Sequence, residues 1–322
     1  MSSIMPPALC PGDTMAIVPT ARAITLEEVR DGIALVESWG LKVKLGGGIG
    51  RKHFQQAGSA EERAADLQAT LDDPDVRAIW CARGGYGTVQ LLEHIDLSSL
   101  RRDPKWIVGF SDITVLHNAL HNIGIASLHA QMPFNIAAKT DECRETLRAA
   151  LFGEGYQVAS GEWRVLPSPL ATHHSLLAVQ REGTCEGVLI GGNLSLLYAL
   201  RGTPYDIDPQ GKILFLEDLD ELLYHMDRMV MNLKLSGWFR ELSGLIVGGM
   251  SDMRNKDDRD PFGRSAEQII ADALGGSSYP VCYGFPAGHI DDNRALVFGQ
   301  RARLEVTASG ASLQFGGAPA RS

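Results

Sequence analysis

Ser111 stands in the segment Val108-Gly109-Phe110-Ser111-Asp112, after an apolar run and before Ile113 to Leu120, whose apolar residues have helical spacing. A serine between a strand and a helix has two uses. It can cap the helix by accepting a backbone N–H. On a tight turn it can instead expose its hydroxyl at the carboxyl end of the strand, as the nucleophile of a hydrolase does. Only the first half of a Gly-x-Ser-x-Gly pattern is present, because Ile113 stands where the second glycine would be. An ordinary α/β-hydrolase is therefore not the match, and this segment alone leaves both uses open.

A second turn, Arg83-Gly84-Gly85-Tyr86-Gly87, ends the preceding apolar run. Adjacent glycines let backbone N–H groups approach a ligand. In a parallel sheet this turn would lie beside Ser111, and the N–H groups of Gly85 and Asp112 would form an oxyanion hole, worth roughly a few kcal/mol per donor. The other readings are a tight connection or a phosphate cradle. No Gly-x-Gly-x-x-Gly or Walker lysine pattern accompanies the turn, which weakens the nucleotide reading. Glu217 closes the run Lys212 to Leu216, a position suited to an acid that orients a histidine. His289 lies in the loop Gly284 to His289 and is a candidate general base. His117 and His121 share a helical face, but the glutamate of a His-Glu-x-x-His zinc motif is missing, so no metal site is expected there. His173-His174 and the charged loop Asp252 to Asp260 read as solvated surface.

Such side chains need elements to hold them. Met15 to Val18 reads as a strand, Leu26 to Trp39 as an amphipathic helix, Leu41 to Leu45 as a strand and Glu61 to Leu71 as a helix. Val76 to Cys81 and Trp106 to Val108 are further apolar strands, each followed by a glycine-containing turn and a helix. This alternation implies an α/β fold with a mostly parallel sheet, whose chemistry lies at the strands' carboxyl ends. From about Gly153 short strands and turns take over: Gln157 to Ala159, Trp163 to Leu166 and Gln180 to Gly183. A helix from Leu194 to Leu200 is capped by Asn193, and a helix over Leu222 to Leu235 separates the strands Lys212 to Leu216 and Gly244 to Val247. Ala295 to Phe298 and Arg303 to Val306 close the chain as strands. The expected division is residues 1–155 and 170–322.

With 322 residues, 44% hydrophobic, the chain can build its core without metal or disulfide staples. A formal net charge of −9 argues against nucleic-acid and anionic-membrane partners. No segment approaches the roughly 18 to 20 apolar residues of a membrane span, and no secretory leader is read at the N-terminus. The five scattered cysteines form no Cys-x-x-Cys pair, so a reducing cytoplasm is the expected location.

Taken in order, the segments resemble the LD-carboxypeptidase family of serine peptidases, whose relatives include the microcin C7 self-immunity peptidases. The resemblance runs from Cys10-Pro11-Gly12-Asp13 nearly to the end. Its markers are Ala57-Gly58 with Glu62-Arg63-Ala64-Ala65-Asp66-Leu67, Arg83-Gly84-Gly85-Tyr86-Gly87 and Gly109-Phe110-Ser111-Asp112-Ile113-Thr114. Gly191-Gly192-Asn193-Leu194, Phe215-Leu216-Glu217-Asp218 and Gly288-His289 continue the set. The resemblance implies a Rossmann-like amino-terminal domain bearing the nucleophile and a smaller swivelling-type β/α domain bearing the acid and base. It places a Ser-Glu-His triad on Ser111, Glu217 and His289, with Gly85 and Asp112 as backbone oxyanion donors. It implies a cytoplasmic homodimer without metal or organic cofactor. The implied reaction releases terminal D-alanine from murein tetrapeptide in peptidoglycan recycling, and Arg83 is the candidate for binding the substrate's free carboxylate. The alternative is a microcin-type peptidase cleaving peptidyl- or aminoacyl-nucleotides, with Trp163 available as an aromatic platform. Phe110 replaces a tyrosine, and Ala130-Gln131 a Gly-Pro after His129, that many relatives carry; these departures bear on specificity.

Overall fold

The computed structural model describes residues 3–160 and 180–316, arranged in two compact units. The first comprises Met1–Tyr156 with Asp291–Gln300 and Gly316–Ser322; the second comprises Gln157–Ile290 with Arg301–Phe315. The expected strand at Trp163 to Leu166 lies outside the described residues, as does the His173-His174 pair.

In the first unit the chain alternates β1 (Thr14–Val18), α1 (Leu26–Ser38), β2 (Lys42–Leu45), α2 (Ala60–Leu71), β3 (Val76–Cys81), β4 (Trp106–Gly109), α3 (Thr114–Asn122), β5 (Ser127–His129) and α4 (Asp141–Leu151). Apart from its two ends, β3 reads Arg-Ala-Ile-Trp, and nearly all of the strand is buried, as a parallel strand covered on both faces requires. The sheet order is β11-β5-β4-β3-β1-β2. Its members are parallel except β11 (Leu296–Phe298), which returns from far along the chain and runs antiparallel to β5. From β1 the chain steps to β2 on one side and then to β3 on the other. That reversal opens a crevice at the carboxyl ends of β1 and β3, next to the end of β4.

The chain enters the second unit through β6 (Tyr156–Ala159). There follow β7 (Gly183–Asn193), α5 (Leu194–Ala199), β8 (Ile213–Leu219), α6 (Leu223–Leu235), β9 (Gly244–Ser251), α7 (Ala266–Leu274) and β10 (Val281–Cys282), then β12 (Arg301–Thr307) and β13 (Gly310–Phe315). The sheet order is β10-β9-β8-β7-β12-β13-β6. β7 to β10 are parallel; β12 runs antiparallel to both β7 and β13. The two halves of this sheet differ in burial. The β8 run Ile213 to Asp218 is wholly buried, whereas β12 alternates exposed and buried side chains, as a sheet with one wet face does. Leu197, Met226, Met229, Ile269, Ile270 and Tyr283 belong to one core packed over the parallel half.

The mixed α/β architecture agrees with the sequence reading. All five cysteines are free thiols. Among the described residues no helix is long and apolar enough to cross a membrane, and no cluster of three or more potential metal ligands occurs.

Candidate active site

Ser111 opens a short 3-10 turn, Ser111–Ile113, between β4 and α3. Its φ is +63°, in the left-handed region that costs an L-residue about 1–2 kcal/mol. A capping residue has extended backbone instead. The positions that start the 3-10 turn and α3 are Phe110 and Ile113, and neither start has a side-chain cap. The conformation therefore distinguishes Ser111 from an N-cap and matches a strained elbow. Gly109 makes the elbow possible: a Cβ there would lie 2.7 Å from Ile113 Cγ1. Ile113, which replaces the second glycine of the usual pattern, thus occupies the space that Gly109 leaves.

His117 fastens this turn from within α3. Its Nε2 lies 2.9 Å from the Gly109 carbonyl and its Nδ1 lies 2.8 Å from Ser127 Oγ. A carbonyl only accepts, so Nε2 carries the proton and Nδ1 accepts from the serine hydroxyl. Burial pushes the His117 pKa down to about 4, so the ring is neutral near pH 7. One member of the expected histidine pair is thereby a structural tie.

The glycine turn lies beside the elbow, as the parallel order of β3 and β4 demands. A Cβ on Gly84 would sit 3.4 Å from Ser111 Cβ and 3.5 Å from Asp112 Cβ. Gly85 has a φ of +108°, and a Cβ on it would come within 2.2 Å of Arg22 Cδ. The end of the turn is gripped by two buried charges. Arg63, from α2, donates to the carbonyls of Thr20 (2.5 Å) and Gly87 (2.8 Å) and to Gln90 Oε1 (2.7 Å). The Asp112 carboxylate accepts the Thr88 N–H at 2.8 Å. The Gly87–Thr88 peptide thus points its carbonyl at a guanidinium and its N–H at a carboxylate. Burial raises the Asp112 pKa, against the opposing pull of Thr88, Arg63 and Gly87.

Arg83, the sequence candidate for carboxylate binding, lies over the Phe134 ring at 4.1 Å and pairs with Glu28 at 3.4 Å. The two departures from the family pattern are internal. Phe110 packs edge-on against His129 at 5.8 Å. Ala130 and Gln131 are buried; the Gln131 carbonyl accepts the Trp80 indole N–H, and its side chain donates to the Phe134 carbonyl.

In the second unit the structure brings Glu217 and His289 together. Glu217 is fully buried near the end of β8, and His289 Nδ1 lies 2.5 Å from its Oε2. The backbone N–H of His289 donates to the same oxygen at 3.2 Å. The carboxylate accepts, so Nδ1 carries the proton and Nε2 keeps its lone pair, the tautomer a general base needs. Gly288 permits this approach: its φ is +102°, and a Cβ would lie 2.7 Å from Glu217 Cβ. Ser251 Oγ donates to the His289 carbonyl at 2.6 Å and steadies the loop.

Asp218 supports the same strand end. It accepts from Asn193 Nδ2 (2.8 Å), Ser195 N (3.0 Å) and Leu219 N (2.8 Å). Burial foremost, with the adjacent Glu217, pushes its pKa up to about 7. Asn193 caps α5 as expected, through Leu196 N. The sequence reading had no role for Arg63, Asp112 Oδ2 or the Asp218 carboxylate. Only a charged residue inside an apolar pattern, such as Arg63 beside Ala64, Ala65 and Leu67, hints at such ties.

Residues 15–130 match the LD-carboxypeptidase N-terminal domain, and residues 186–304 match the LD-carboxypeptidase C-terminal domain. A probable murein peptide carboxypeptidase of Bacillus subtilis is 34% identical over 97% of this chain and 94% of its own length. The crystal structure of a muramoyltetrapeptide carboxypeptidase from Oxalobacter formigenes superposes with a TM-score of 0.81 at 28% identity, covering 95% of this chain and 99% of that one. The structure of MccF in complex with glutamyl sulfamoyl guanosine gives the same TM-score at 21% identity over 95% and 97%, a likeness of fold.

Proposed function

The chain belongs to the LD-carboxypeptidase family, and from that premise we propose that it is a serine carboxypeptidase that releases terminal D-alanine from murein tetrapeptide. The observation that carries the catalytic part is the buried Glu217 carboxylate 2.5 Å from His289 Nδ1, which leaves Nε2 as a base. The left-handed backbone of Ser111 supports its reading as the partner nucleophile.

In this mechanism His289 Nε2 takes the Ser111 proton as the hydroxyl oxygen attacks the carbonyl between the third residue and D-alanine. Glu217 holds the ring's tautomer and offsets the imidazolium charge. The backbone N–H groups of Gly85 and Asp112 stabilise the tetrahedral oxyanion. His289 then gives its proton to the departing amine of D-alanine. Water, deprotonated by the same ring, hydrolyses the acyl-serine and returns the enzyme. No step calls for a metal or organic cofactor, and the names of relatives support a murein peptide as substrate. A cytoplasmic homodimer completes the reading on the family resemblance.

Mass spectrometry of a murein tetrapeptide digest tests it. Wild-type protein is expected to yield tripeptide and D-alanine, and Ser111→Ala none; D-alanine release by the alanine variant would overturn the assignment. An aminoacyl-sulfamoyl adenosine assayed in parallel tests the nucleotide-peptide alternative, which the fold likeness to MccF keeps in view. Trp163, the aromatic platform that alternative would use, lies outside the described residues.

A further inference from the structure

A carboxypeptidase has to hold a free carboxylate one residue beyond the bond it cleaves. We infer that Arg22 is the group that binds it; the inference rests on the carboxypeptidase reading of Ser111. Arg22 follows β1 at the sheet's switch point, where the crevice between the ends of β1 and β3 opens. Its side chain lies across Gly85: a Cβ on that glycine would meet Arg22 Cδ at 2.2 Å and Cγ at 2.8 Å. Gly84, the neighbour of Gly85, is in turn against Ser111. The Arg22 stem thus crosses the proposed oxyanion donor, beside the nucleophile.

Charge separates Arg22 from its neighbour Arg83. Arg83 is engaged with Glu28 and stacked on Phe134. Arg22 is exposed, and among the described residues no acidic side chain pairs with it. A guanidinium presents a rigid fork of N–H donors that suits a carboxylate with two parallel bonds. In a peptide the terminal carboxylate is only two bonds past the amide nitrogen that leaves, so a cation beside the oxyanion donor is at the right range. Arg22 would act as a specificity residue: it touches substrate and selects the free acid.

The test compares a tetrapeptide ending in D-alanine with the same peptide ending in D-alaninamide. Wild-type enzyme is expected to favour the free acid. In Arg22→Gln the kcat/KM for the acid falls by about 100-fold, the scale of a charge-assisted pair, while that for the amide changes by less than about threefold. Arg22→Lys, which keeps the charge and loses the fork, falls between them. The proposal is overturned if Arg22→Gln retains the wild-type acid-to-amide ratio, or if the ratio collapses in Arg83→Gln instead. Failure of the underlying reading looks different: wild-type protein would then release no D-alanine from any peptide.

Discussion

A serine precedes each of α2 and α3, Ser59 as the N-cap of the first and Ser111 at the opening of the 3-10 turn ahead of the second, and the two show how one residue type is put to opposite ends. Ser59 has extended backbone (φ −64°, ψ 169°), and its hydroxyl accepts Glu62 N–H while the Glu62 carboxylate returns to Ser59 N–H. Ser111 has φ +63°, and α3 starts without any side-chain cap. At the first, the hydroxyl is spent on the helix. At the second, the backbone takes on strain and the helix is tied by His117 instead. The residue three positions on marks Ser59, but not Ser111, as the start of a capping box. Ser59-x-x-Glu62, Ser265-x-x-Gln268 and Thr25-x-x-Glu28 all form capping boxes, whereas Ser111 is followed at that spacing by Thr114.

Four substitutions probe this contrast, in descending order of effect. Ser111→Ala is expected to abolish D-alanine release while moving the urea unfolding free energy by less than about 0.5 kcal/mol. A loss near that of a removed cap, with turnover kept, would make the two serines equivalent. Gly109→Ala forces a Cβ against Ile113 and shifts the elbow; kcat/KM is expected to fall about 100-fold, the scale of an ångström's misplacement of reacting groups. Full activity in that variant would mean that the close approach of Gly109 and Ile113 does not set the position of Ser111.

The third probe is acid. His117 has a folded pKa lowered to about 4 from an ordinary 6.5, so the unfolded chain takes up its proton first. Its contribution is present above pH 6.5 and is lost as pH falls towards 4. Between pH 7 and pH 5 the wild type should lose about 2 kcal/mol more than His117→Gln, measured by urea unfolding at both values. Parallel pH curves would sink the idea. Smallest is Ser59→Ala, expected to cost about 1 kcal/mol of stability and to leave kcat unchanged.

Elements whose pattern is local were legible: β1, α1, α2, β3, β4 and α6 fall where periodicity puts them. The sequence reading took residues 180–183 as a strand-and-turn piece, but β7 runs from Gly183 to Asn193. Its glycines 187, 191 and 192 mask the strand, and Gly191 is there because a Cβ would strike the Phe215 carbonyl at 1.9 Å. The pairing of β11 with β5 joins segments more than 160 residues apart, and no periodicity encodes it. The site divides the same way. The elbow and the glycine turn show in short segments. The contact between Glu217 and His289 spans 72 residues of chain and is reached from sequence only through the family resemblance. Arg22 gave no local signal, and Arg63 only that of a charge among apolar residues, because the groups they touch are brought by other loops.

The left-handed backbone at Ser111 also has a consequence for protein engineering. Glycine adopts that conformation without steric cost, although it loses more freedom on folding. Ser111→Gly should therefore gain about 0.5 kcal/mol as the net of those two terms, in a protein without the proposed nucleophile. Selection for thermal tolerance alone would drift towards that inert form, and a screen that scores only heat resistance would reward the loss of the enzyme. The same variant would be a sturdy trap for soaking intact peptide into crystals.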